Sequence, residues 1–213
     1  MIKKFTFFLV LSSLAFSLSC TNNLSGNTRS NSNAKPAASA EVKKGVAPVA
    51  DSEIAVVETD YGTVKIELYS NIAPKMVARF KELAKAGFYD GIAFHRINDT
   101  VIQAGNPDTK SDAPPVPGKP ESDSGKPNVD AEFSDVPYTT GILGAARLGN
   151  DVNSQNSQFF IMLRNQPQFN GNYTVFGKVI EGLNTVMTIS GVPRERESPN
   201  PAVRIKSITI QPK

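Results

Sequence analysis

Residues 53–68 read EIAVVETDYGTVKIEL, and residues 72–87 continue IAPKMVARFKELAKAG. In the first stretch the apolar run Ile54-Ala55-Val56-Val57 leads into the turn residues Asp60-Tyr61-Gly62, after which Val64, Ile66 and Leu68 alternate with Lys65 and Glu67. A period of two puts apolar side chains on one face of a strand and charges on the other, so this is a β-hairpin with one wet face. In the second stretch Pro74 suits the first position of a helix. Met76, Val77, Phe80, Leu83 and Ala84 then fall on one side at 3.6 periodicity, and Gly87 is a natural stop. A hairpin followed by such a helix predicts a sheet with a helix packed on it.

Further strands are expected at 92–97, 101–104, 141–147, 158–163, 174–180 and 202–211, with a short second helix at 183–189. In the last strand Val203 and Ile205 share a parity that Ile208 and Ile210 do not, which predicts a bulge near Lys206-Ser207. Eight short strands with two helices argue for a closed antiparallel barrel, because closure removes exposed edges. Between Gly105 and Ala131 the composition turns to Pro, Gly, Ser, Asp and Lys, and a long irregular loop is expected there, mobile and dispensable over 106–130.

The 213 residues allow one large domain with appendages. Residues 1–19 read as a signal peptide: Lys3 and Lys4 form a basic start, and nine of the twelve residues from Phe5 to Phe16 are apolar, a run too short to span a bilayer. It ends in Ser17-Leu18-Ser19-Cys20, which resembles the lipobox of bacterial lipoproteins, where the Cys becomes the lipidated N-terminus. Ser17 departs from the aliphatic residue usual there, and plain secretion with an incidental Cys is the alternative. Residues 20–51 are Ser, Asn, Ala, Lys and Pro with almost no large apolar residue. They predict a flexible tether with a reach of about 30 Å. The folded domain is then 52–213, with 17 basic and 18 acidic residues. Neutrality excludes the electrostatic footprint of a nucleic-acid binder. A single Cys and a single His, His95, exclude a disulfide framework and a Cys/His zinc cluster.

Five motifs follow in order. They are Phe94-His95-Arg96; Gln103-Ala104-Gly105; Gly141-Ile142-Leu143-Gly144-Ala145-Ala146-Arg147; Ser157-Gln158-Phe159-Phe160-Ile161; and Val175-Phe176-Gly177-Lys178-Val179. With Ala73-Pro74-Lys75 and Gly87-Phe88-Tyr89-Asp90-Gly91, they resemble the cyclophilin family of peptidyl-prolyl cis/trans isomerases over residues 53–211. The resemblance implies a mainly β fold, a closed eight-stranded antiparallel β-barrel capped by two α-helices. It implies that the catalytic residue is Arg96, that Gln103 holds the substrate backbone, and that Val101, Ala146, Phe160 and Phe169 line a proline-ring pocket with Tyr173 at its rim. Arg147 either contacts substrate or is solvated. Twisting an X-Pro amide breaks no bond and needs no proton transfer, so no metal or cofactor is implied and His95 is expected to be structural. Phe159 and Phe160 are neighbours in a strand and must face opposite ways, one into the barrel and one into the pocket.

Three departures stand out. The Arg96 to Gln103 spacing is one residue short, which aligns Thr100 with an aromatic position; Gln168 falls where relatives carry Trp or His; and the Gly149 to Asn156 stretch is long. The expected protein is a monomeric isomerase of proline-containing polypeptides, exported and held at a membrane through Cys20, facing the periplasm or cell exterior. The alternative is a proline-segment-binding chaperone or assembly module with little turnover. A serine hydrolase using His95 is disfavoured, since no G-x-S-x-G elbow is present.

Overall fold

The computed structural model describes residues 41–112 and 123–213. The leader, Cys20 and the tether up to residue 40 lie outside them, so the expectations for those segments do too. Strands β1 (Glu53–Thr59) and β2 (Gly62–Leu68) form the expected hairpin, with Val57 opposite Val64 and Ala55 opposite Ile66. Helix α1 (Pro74–Lys85) follows, burying the predicted Met76, Val77, Phe80, Leu83 and Ala84. The chain continues through β3 (Arg96–Ile97), β4 (Val101–Ala104), β5 (Ile142–Ala145), β6 (Phe159–Met162), β7 (Val175–Glu181), α2 (Leu183–Ser190), β8 (Arg194–Glu195), β9 (Ser198–Pro199) and β10 (Ile205–Pro212). Eight strands form one antiparallel sheet in the order β10-β1-β2-β7-β5-β6-β4-β3, and β8 pairs with β9 alone. In β10 Ser207 pairs with Glu58 and Ile205 with Thr59, leaving Lys206 as the extra residue of the predicted bulge.

The barrel is not closed, contrary to expectation. The ladder ends at β10 and at β3, and the segments just before these two strands meet through an isolated Ala93–Arg204 bridge. Single backbone bonds flank it: Phe94 N to Val203 O (2.9 Å) and Ile205 N to Ile92 O (2.8 Å). Local chemistry explains the open seam. Gly91 turns the chain with φ of 80°, and the prolines at 199 and 201 have no N–H to extend β10 toward its N-terminus.

The sheet has an apolar cluster on each side. Between it and α1, Phe80, Tyr89, Phe159 and Phe176 interlock with ring centroids 5.3–5.6 Å apart. Opposite lies a smaller cluster around Phe160, Tyr138, Val101 and Met162. The α1 N-terminus receives no side-chain cap from Ala73; instead buried Glu132 accepts from Lys75 N (3.2 Å) and Met76 N (3.0 Å), placing a carboxylate on the orphan donors of the first turn.

Two segments expected to be loose are built into the domain. Residues 41–51, assigned above to the tether, run along it. Lys43 N donates to Phe133 O (2.8 Å), Asp135 N to Lys43 O (3.0 Å) and Val49 N to Asn71 Oδ1 (2.9 Å), while Asp51 pairs with Lys81 at 2.7 Å. This lash is held by backbone and ionic partners from distant positions, so its lack of large apolar residues did not reveal it. The flanks of the 106–130 loop are likewise fixed. Arg204 donates to Thr109 O (2.7 Å), Arg79 to Pro127 O (2.9 Å) and Asn156 to Lys126 O (2.9 Å), and Val129 is buried. The described parts of the segment, 106–112 and 123–130, are therefore anchored to the domain, and residues 113–122 lie outside the described residues.

Candidate active site

Arg96 and Gln103 face each other across the β3–β4 pair, Gln103 faces Phe160 across β4–β6, and Phe160 faces Gly144 across β6–β5. Directly opposed residues share a face, so cation, amide and aromatic ring form one row across three strands, with Gly144 next in line on a fourth. The row opens into a cavity of about 630 Å³, and all eight residues expected at the site line it: Arg96, Val101, Gln103, Ala146, Arg147, Phe160, Phe169 and Tyr173.

The apolar half of the cavity is a set of edge-to-face rings. Phe160 meets Phe169 at 5.8 Å and 78°, and Tyr173 at 5.6 Å and 89°. Phe159 points the other way into the main core, as alternation demands. Gly144 makes room for the Phe160 ring: a Cβ there would lie 2.3 Å from Phe160 Cζ. Beneath Phe160 lies Tyr138, 2 % exposed and stacked at 6.0 Å. Burial, with the nearby Tyr173, pushes the Tyr138 phenol well above its ordinary range. Tyr138 precedes β5 in a stretch without strand periodicity, so no sequence signal marked it as pocket floor.

The polar half is pre-set by hydrogen bonds. Gln103 Nε2 donates to Gln158 Oε1 at 2.9 Å. Arg147 lies over the Tyr173 ring, 4.7 Å from its centroid, and donates to Asn172 O (3.1 Å) and Leu148 O (2.9 Å). Of the departures from the family pattern, neither Thr100 nor Gln168 lines the cavity. Thr100 sits in the β3–β4 turn, where its N–H donates to Asn98 Oδ1 (2.9 Å) and its hydroxyl accepts from Arg164 (3.1 Å). The wall is supplied instead by the β8–β9 hairpin, through Glu195, Arg196, Glu197 and Ser198. Sequence reasoning missed this hairpin because Arg194-Glu195-Arg196-Glu197 alternates charge and looks like a solvated loop. Glu197 accepts from Arg96 Nε at 2.7 Å and from Asn98 Nδ2 at 2.8 Å, and these two bonds hold its carboxyl below the usual range. Ser198, which lines the cavity, donates to the His95 backbone carbonyl (3.1 Å). No group of three or more His, Cys, Asp or Glu suited to a metal occurs among the described residues.

An antiparallel barrel-like sheet carrying a ring-lined pocket with a cation and an amide at its edge is the class of structure that this chain presents. The comparisons give that class its family. A model of "Cyclophilin type peptidyl-prolyl cis-trans isomerase/CLD" matches residues 54–210. A probable peptidyl-prolyl cis-trans isomerase of Brucella suis is 40% identical over 165 residues, covering 74% of this chain and 81% of that protein. A Dictyostelium discoideum peptidyl-prolyl cis-trans isomerase is 36% identical over 154 residues, covering 71% and 94%. The crystal structure of a Cryptosporidium parvum cyclophilin-type isomerase, obtained in the presence of the dipeptide Ala-Pro, superposes with a TM-score of 0.66. It is 31% identical and covers 75% of this chain and 99% of that one. The chain belongs to the cyclophilin-type peptidyl-prolyl cis-trans isomerases, and its activity is peptidyl-prolyl cis-trans isomerisation.

Proposed function

We propose that Arg96 is the catalytic residue and that the row Arg96, Gln103, Phe160 is the catalytic arrangement. The X-Pro amide is partly double-bonded, with a barrier of about 18–20 kcal/mol. Twisting it breaks the resonance and localises a lone pair on the prolyl nitrogen, which becomes a better hydrogen-bond acceptor. A guanidinium aimed at that nitrogen stabilises the twisted state more than the planar one, and this difference is what accelerates rotation. Val101, Ala146, Phe160 and Phe169 hold the proline ring, Tyr173 closes the rim, and Gln103 holds the flanking backbone. Arg147 braces Tyr173 and presents the edge of its guanidinium to the peptide. The observation that carries this reading is the cross-strand register of Arg96, Gln103 and Phe160. The Cryptosporidium relative's crystallisation with Ala-Pro supports a proline-containing peptide as occupant. Cis-trans turnover of an X-Pro tetrapeptide by the full chain tests it through Phe160→Ala. This variant removes surface that holds both planar and twisted states, so peptide affinity and kcat/KM should fall together. Unchanged affinity in that variant would contradict the pocket assignment.

The leader and its terminal Cys support a second part of the reading. The substrates are exported polypeptides, and the enzyme is held at a membrane by lipid on Cys20, tethered by the Ser/Asn-rich stretch that follows. Cys20→Ala should move the protein from the membrane to the soluble fraction; retention at the membrane would favour an uncleaved leader.

A further inference from the structure

Resting on the assignment of Arg96 as the catalytic cation, we propose that Glu197 is its positioning residue, delivered by the β8–β9 hairpin. Arg96 stands on a two-residue strand at the edge of the sheet, and its side chain is 46% exposed, so packing does not fix it. A free arginine samples many rotamers. The bond from Nε to Glu197 Oε2 at 2.7 Å removes that freedom. Because the guanidinium is a rigid plane, fixing Nε sets the direction of both terminal Nη groups while leaving them available to the substrate.

The carboxylate is itself held. Its other oxygen accepts from Asn98 Nδ2 at 2.8 Å, and Asn98 Oδ1 accepts from Thr100 N (2.9 Å) and Val101 N (3.0 Å), which ties Glu197 to the tight β3–β4 turn. The Glu197 backbone is docked as well, since Ile97 N donates to Glu197 O at 2.6 Å. The hairpin turn that delivers it places Arg196 at φ of 58°, a left-handed conformation that disfavours a side chain. Strain of this kind persists where surrounding contacts over-determine the backbone. The shortened turn and the charged hairpin therefore form one assembly around the Arg96 side chain.

An opposite charge also weakens the field of Arg96, so its removal would accelerate the reaction if field strength were decisive. Orientation decides instead if the twisted nitrogen is recognised by a directed N–H at hydrogen-bond range, where a misplacement of about 1 Å is worth roughly 100-fold.

A double-mutant cycle on kcat/KM with an X-Pro tetrapeptide separates these possibilities. Glu197→Ala should lower kcat about tenfold with KM nearly unchanged, and should have less than about a twofold effect in an Arg96→Ala background, since nothing remains to be positioned. Glu197→Gln, which keeps an oxygen for Nε, should recover at least about a third of wild-type turnover. In the wild-type protein the Arg96 Nε–H should exchange slowly with water in a side-chain ¹H–¹⁵N spectrum, a measurement independent of any variant's folding. The proposal is overturned by a Glu197→Ala enzyme as fast as wild type or faster, by equal losses in both backgrounds, by a Gln variant no better than Ala, or by an Arg96 Nε–H that exchanges like that of a free arginine. An Arg96→Ala variant with wild-type activity would overturn the underlying catalytic assignment directly and the positioning role with it.

Discussion

Gly144→Ala is the smallest change that should disable the pocket, and its expected effect runs against the usual sign. Gly144 is in β5 with an ordinary negative φ. At such a site Gly→Ala normally stabilises by about 0.4–1 kcal/mol, because the unfolded chain loses freedom. Here the new Cβ would stand 2.3 Å from Phe160 Cζ and 2.6 Å from Cε2. Carbon atoms pack at about 3.5–4.0 Å, so the ring must withdraw by more than about 1 Å. It cannot do so freely: Tyr138 stacks against it at 6.0 Å, and Phe169 and Tyr173 meet it edge-on at 5.8 and 5.6 Å. Overpacking of this kind costs about 1–3 kcal/mol. The entropic gain is overtaken, and a net loss of about 1–2 kcal/mol lowers Tm by about 2–8 °C for a domain of this size. Displacement of the pocket wall should lower kcat/KM by about one to two orders of magnitude. Differential scanning calorimetry and peptide turnover on the same preparation read both effects. A Gly144→Ala enzyme at least as stable as wild type and active within twofold would refute the claim that Gly144 seats the ring.

Two further outcomes concern the segment before β1. Deleting residues 1–40 should leave the domain's stability unchanged. Deleting 1–51 should lower it by about 1–3 kcal/mol, through the lost backbone bonds of the lash and the loss of Asp51 from Lys81, which keeps Glu53; equal denaturant midpoints for the two truncations would show that the lash contributes nothing. Lys81→Met should destabilise by up to about 1 kcal/mol at neutral pH. Burial raises the Asp51 carboxyl, but hydrogen bonds from Lys81 and Ser70 outweigh it and hold it below its ordinary value of 3.8. A depressed carboxyl stabilises above its unfolded pKa and stops doing so as pH falls through the folded one. The gap between Lys81→Met and wild type should therefore close below about pH 3.8 in urea titrations, and a gap that persists in acid would remove the ion pair as its cause.

How far the fold and site could be read from the chain depended on the range of the interactions involved. Period-two alternation marked β1 and β2, and a parity change marked the bulge at Lys206, because both signals lie within a few neighbouring residues. The opposite facing of Phe159 and Phe160 followed from strand geometry alone. The eight pocket residues were found through motif order, which encodes register that no single strand reveals. What could not be read is held by long-range polar contacts. Glu132 capping α1 from 56 residues away, Glu197 meeting Arg96 across 101 residues and Lys43 beside Phe133 leave no local pattern. The open seam escaped for a related reason: counting strands predicts closure, whereas the missing N–H groups of the prolines at 199 and 201 act only where two distant edges meet.

The central claim is that Arg96 accelerates rotation by favouring the twisted amide over the planar one. The most direct measurement is kcat/KM and ground-state peptide affinity for Arg96→Ala against wild type, on one X-Pro tetrapeptide. Loss of a preorganised electrostatic donor should lower kcat/KM by about two to three orders of magnitude while affinity for the ground-state peptide changes much less. An Arg96→Ala enzyme as active as wild type, or one whose turnover falls only in proportion to its affinity, would contradict the account.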